Sequence, residues 1–199
     1  MILFSAARSR CFAAWLVLPL AVCDLVPAIA QAQDPAKGAP VRPVPYRRIG
    51  GTEYQNFLKN WDDRHMPLLC AVLGSPSRYE AWFHPAPLNR PNKAFAPAPG
   101  FYAKEQILVV ARVTAGVDAM DGVFGVERVE ESGSEVTLFY RFEKPVKAAD
   151  YTVKAHLAVR IPQKEYGRAV FVENGKPVAA LDLRKGEWSL PPAAPPEHP

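Results

Sequence analysis

At 199 residues, 49% of them hydrophobic, the chain has material for one ordinary domain with a sizeable core. Its formal charge of +4 is spread thin: Arg47-Arg48, Lys59, Arg64 and Arg78 are scattered, and no run is dense enough for a nucleic-acid arm.

Residues 1–32 read as a secretory signal peptide. Arg8 and Arg10 form a short basic head, and the uncharged run Cys11–Cys23 has the length of a signal-peptide core. It falls short of the ~20 residues that span a bilayer. Ala30-Gln31-Ala32 supplies a small-residue cleavage site, which makes Gln33 the expected new N-terminus and the protein an exported one, periplasmic or secreted. An alternative is anchoring at Cys23, since Leu20-Ala21-Val22-Cys23 resembles a lipoprotein lipobox; Val22 departs from the small residue that pattern wants. With Cys11 and Cys23 removed, Cys70 is the one cysteine left, so no internal disulfide is expected and the fold must rest on its core.

Residues 33–47 form a proline-rich leader without apolar periodicity. A first helix is expected from Thr52, whose partner Gln55 completes a capping box, with Tyr54, Phe57, Leu58 and Trp61 on one stripe. A second begins at Ser75 with Pro76 in its first turn, carries Tyr79, Trp82 and Phe83 inward, and stops at His84-Pro85. The proline-rich stretch 85–100 wraps the surface. Beyond it the period becomes two. Residues 106–113, "QILVVARV", are the nearly unbroken apolar run of a strand covered on both faces. Residues 123–130 and 135–142 flank a hairpin loop in which Gly133 is free to take positive φ, with Val136, Leu138, Tyr140 and Phe142 on one face. In 151–161, Tyr151, Val153, Ala155, Leu157, Val159 and Ile161 point inward, and Thr152, Lys154, His156 and Arg160 outward. Asn174-Gly175 marks a further hairpin, with Pro177 making its second strand an edge. Residues 187–199 read as a disordered proline-rich tail.

The expected fold is therefore α+β. Two short N-terminal helices pack on a mostly antiparallel sheet, or a small β-sandwich of five to seven strands, in a single globular domain over 48–186.

Residues 60–70, "NWDDRHMPLLC", come closest to an active site. As the last turn of a helix followed by an apolar strand, they offer Cys70 as nucleophile and His65 as base, a small thiol-dependent enzyme. The alternative is a buried structural cysteine. His65, His84, His156 and His198 lack ligand spacing, and no phosphate- or dinucleotide-binding loop occurs, so no metal and no cofactor is expected. Phe95, Phe101 and Tyr102 beside the proline-rich loop are candidates for a contact patch, because aromatics stiffened by nearby prolines lose little entropy on binding.

From residue 78 to 162, "YEAWF", "QILVVARV", "GVFGVERVEESGSEVTLFYRFEKP" and "YTVKAHLAVRIP" resemble in order the C-terminal domain of the protease-complex subunit PrcB family. The departure is at Gly122-Val123-Phe124-Gly125, where the family has Gly-Gly-Tyr. The resemblance implies a small exported β-rich accessory domain without catalytic apparatus, and carries no functional residues across. The function expected is thus a non-enzymatic interaction domain with a protein partner in the cell envelope, no nucleic acid, and no membrane span after cleavage. A thiol enzyme at Cys70 and His65, or a small-ligand carrier, is the alternative. Intact-mass measurement of the exported form should give a chain starting at Gln33; the full-length mass, or an acylated Cys23, would overturn this.

Overall fold

The computed structural model describes residues 39–49, 56–85, 97–98, 100–116, 122–144 and 150–193, all within the unit Asp34–Pro199. The expected signal peptide with Gln33, Cys23, the capping pair Thr52 and Gln55, Phe95 and residues 194–199 of the tail lie outside the described residues. In chain order the strands are β1 (Val41–Pro43), β2 (Arg47–Ile49), β3 (Asn56–Leu58), β4 (Leu68–Leu73), β5 (Phe83–Pro85) and β6 (Glu105–Ala115). There follow β7 (Phe124–Ser132), β8 (Glu135–Phe142), β9 (Thr152–Pro162), β10 (Arg168–Glu173), β11 (Lys176–Asp182) and β12 (Ser189–Leu190), with helix α1 (Pro76–Trp82) between β4 and β5.

Two five-stranded sheets stack face to face. The outer sheet runs β1-β7-β8-β10-β11 and the central sheet β12-β4-β6-β9-β2, while β3 and β5 pair separately. All pairings are antiparallel except β8 with β10, which run parallel. Between the sheets, Cys70, Val72, Leu108, Val110, Leu157 and Val159 meet Val136, Leu138, Tyr140 and Phe171 in one apolar cluster. The other face of the central sheet, with Leu69, Ala71, Leu73, Ile107, Val109 and Ala111, packs under Trp61, Tyr79, Trp82 and Phe83. This is why β4 and β6 are apolar at almost every position: both faces leave water. The outer sheet has one covered face, and β8 alternates accordingly.

The expected α+β class does not form; the described chain is mostly β, with a single helix of seven residues, and the strand count exceeds the five to seven anticipated. The second expected helix is present, capped by Ser75 Oγ accepting from the Arg78 backbone N–H at 3.3 Å. The first is not, over the residues described: Asn56–Leu58 is β3, its ladder partner is β5, and Asn60 takes φ +57°. The stripe periodicity foretold burial correctly for Trp61, but pairing with β5 met the backbone's hydrogen-bonding needs better than a helix whose C-terminal end runs into Met66-Pro67.

Strand β9 also departs from its expected alternation. Ala155, Leu157, Val159 and Ile161 are buried as anticipated, but Tyr151 is 60% exposed. On the face assigned to water Thr152 and Lys154 are exposed as anticipated, but further along the strand the cover over the central sheet's second face begins, and His156 lies against the Phe83 ring at 5.5 Å. Burial pushes its imidazole down to about 4, keeping it neutral near neutral pH. At the C-terminus, Ser189 and Leu190, which composition placed in the tail, form β12 against Ala71 and Cys70.

The hairpin at Asn174-Gly175 is as expected, with φ of +50° and +78° and β11 at the sheet edge. Asn174 also clamps the neighbouring strand, its Oδ1 accepting from Phe142 N at 3.1 Å and its Nδ2 donating to Phe142 O at 3.0 Å. Gly175→Val forces a β-branched residue into the left-handed region and should destabilise the domain by about 1–3 kcal/mol. A melting curve that overlays the wild type would contradict the turn's role.

Candidate functional site

The sequence's most suggestive cluster proves to be a turn. Asp62 organises it: its Oδ1 accepts from Arg64 N at 3.2 Å, its carbonyl from Met66 N at 3.0 Å, and its Oδ2 lies 2.7 Å from His65 Nδ1. That hydrogen bond holds the exposed Asp62 carboxyl below its ordinary range and raises His65 above its own. Asp63 pairs instead with Lys154 at 2.9 Å, whose ammonium also donates to the Trp61 carbonyl at 2.8 Å. The two aspartates therefore diverge, as adjacent residues do, and tie residues 60–66 to β9.

Cys70 and His65 sit in different settings. The His65 side chain is 82% exposed, whereas Cys70 is fully buried between the sheets. Burial drives the Cys70 thiol far up. The nearby Arg112 would lower it, but its guanidinium is taken bidentately by Glu173, at 3.1 and 2.8 Å, and Tyr140 Oη donates to the same carboxylate at 3.0 Å. This trio joins β6 of the central sheet to β8 and β10 of the outer one. Its donors and acceptors are spent on one another, which suits a fastener between sheets.

Phe101 and Tyr102 pack edge to face at 5.0 Å, and the Arg160 guanidinium lies 5.0 Å from the Phe101 ring. Both are half-buried against the cluster under α1, so they cover that core more than they project from it. The Tyr102 hydroxyl has no partner among the described residues, and burial raises its pKa. Among the described residues no group of His, Cys, Asp and Glu is placed to hold a metal.

The constellation that sequence reading missed is a pocket of about 600 Å³ at the rim of the sandwich. It forms at Gly74 just after β4, where α1 begins and β6 starts, and the loop 163–167 and the segment 183–184 close the far side. Arg78, in the first turns of α1, lays its guanidinium over the Trp188 ring at 5.4 Å. No carboxylate among the described residues pairs with it, and its partial burial lowers its pKa without discharging it. Gln106 is 3% exposed, and its Nε2 donates to the carbonyls of Lys164 at 2.9 Å and Pro162 at 3.4 Å. A side chain added at Gly74 would start 3.8 Å from Arg78 Nη1 and 4.0 Å from Gln106 Oε1, so these two atoms flank one spot that glycine leaves open. The other cations of the wall are already engaged, Lys164 with Glu131 at 2.8 Å and Arg184 with Asp182 at 3.4 Å. Arg78 is the cation left over.

No family model, no curated protein and no solved structure matches this chain.

The Cys70 setting makes a direct prediction. A thiol reagent at neutral pH should leave the native protein unlabelled and modify Cys70 only in denaturant. Fast labelling of the folded protein would restore a thiol-based reading.

Proposed function

We propose that the protein is an exported, non-enzymatic accessory domain that acts by binding a protein partner of the cell envelope through the Arg78 pocket. The observation that carries this reading is the half-buried Arg78 guanidinium, which lies over the Trp188 ring, lines an open pocket and pairs with no carboxylate among the described residues. Removing a charge from water is costly unless something compensates it, and the aromatic face does so only in part. An incoming group completes the compensation. The resemblance of residues 78–162 to the PrcB C-terminal family agrees with an accessory role. The thiol-enzyme alternative is disfavoured by the burial of Cys70 and by Glu173's hold on Arg112. A small-ligand carrier shares the same pocket, whose volume lies in the range small molecules use. No helix among the described residues is long and apolar enough to cross a membrane.

Gly74→Leu tests the site, because the glycine's φ is not in the left-handed region, a Cβ there meets its nearest atoms at ordinary contact distance, and the rest of the side chain fills the gap beside Arg78 and Gln106. The variant should melt as the wild type does and lose the envelope proteins that the wild type captures. Equal capture by both would remove the pocket as the contact site. A wild type that captures no protein, but melts higher with small molecules in a manner Gly74→Leu abolishes, would shift the reading to a carrier.

A further inference from the structure

We infer that the group Arg78 receives is a single carboxylate with an N–H donor beside it, the pattern of a peptide's C-terminal residue. The inference rests on the pocket being the binding site.

Charge sets the first limit. Lys164 pairs with Glu131 and Arg184 with Asp182, and Glu165 adds a negative charge to the lining, so among the described residues of the wall Arg78 is the cation without a carboxylate partner. One guanidinium matches a monoanion. A doubly charged phosphate would bring a second negative charge beside Glu165, into a wall whose other cations already have carboxylate partners.

Shape sets the second. The guanidinium lies over the Trp188 ring, 5.4 Å from its centroid, and what Arg78 offers the pocket is a planar fork of N–H donors. A carboxylate presents two coplanar oxygens at matching separation and accepts that fork bidentately.

The third limit comes from Gln106. Its Nε2 faces two backbone carbonyls, which fixes the amide the one way round: swapping N and O would set oxygen against oxygen. Its Oε1 is therefore a fixed acceptor that borders the same Gly74 gap as Arg78 Nη1. A bare inorganic anion leaves that acceptor unused and would be repelled by it. The last residue of a peptide supplies both halves, carboxylate to Arg78 and backbone N–H to Gln106. The absent Gly74 side chain leaves both groups reachable from the pocket.

The test uses N-acetyl-trialanine with a free carboxylate, its C-terminal amide, and propionate, titrated into the full mature chain. The readouts are the ¹H–¹⁵N signals of Arg78 Nε, the Trp188 indole and the Gln106 side-chain amide. The free acid should shift all three saturably. The amide, and the free acid on Arg78→Gln or Gly74→Leu, should each bind at least ~10-fold more weakly, the value of one charge-assisted hydrogen-bonded pair. Arg78→Lys keeps the charge without the fork and should also weaken binding. Propionate binding as tightly as the peptide acid would show that a small organic acid is the source and that Gln106 takes no donor. Acid and amide titrating alike, or Arg78→Gln binding as the wild type does, would overturn the carboxylate assignment. If that happens while Gly74→Leu still abolishes envelope capture, the pocket remains the contact site. If Gly74→Leu changes nothing either, both readings fall.

Discussion

Burial of the central sheet on both faces is the constraint that organises the molecule. Strands β4 and β6 carry large aliphatic side chains toward both sides, β9 adds Leu157, Val159 and Ile161 to one and Ala158 to the other, and each Leu, Ile or Val fully withdrawn from water contributes roughly 1.5–3 kcal/mol. Cover must then come from two directions: the outer sheet on one face, α1 with Trp61 and Phe83 on the other. The fate of the polar residues follows. Cys70 is chemically quiet because it lies on a strand with no solvent face, and His156 is neutral because its strand's second face is roofed over. Groups that keep access to water are pushed to the rim, where strands begin and end, and the pocket is at that rim.

What the sequence made legible was local or strongly periodic. The unbroken run Gln106–Val113 announced a doubly covered strand, Gly133 and Asn174-Gly175 announced their turns, and Ser75-Pro76 announced α1. What it concealed depended on partners far along the chain. The stripe of Tyr54, Phe57, Leu58 and Trp61 spans two helical turns, too little for periodicity to outweigh a ladder with β5. His156 looked solvent-facing because alternation reveals that a strand has two faces, not that Phe83 of β5 covers the second. The parallel pairing of β8 with β10 left no trace at all, since the strand between them in sequence belongs to the other sheet.

The pocket was illegible for the same reason in sharper form. Gly74, Arg78, Gln106, the loop 163–167 and Arg184 are drawn from four separated segments and share no spacing. Arg78 read as one scattered cation among several. Only the geometry shows that Lys164 and Arg184 are already engaged and Arg78 is not. The cluster that did look functional, Asp62 to Cys70, drew notice through composition, yet its groups satisfy their own turn, β9 and the core.

The order in which the chain visits the two sheets bears on how the protein comes into being. It lays β6 in the central sheet, β7 and β8 in the outer one, returns for β9, goes out again for β10 and β11, and comes back for β12. Neither sheet is a contiguous piece of sequence, so neither can be completed first and then receive the other. The longest ladder, which joins Glu105 to Pro162 at one end, closes only after the whole outer hairpin has been threaded past it. Such non-local pairing carries a loop-closure cost of the kind that slows folding. No half of this sandwich is a smaller version of the whole, and a chain cut anywhere between β6 and β11 would leave two fragments that each lack strands from both sheets.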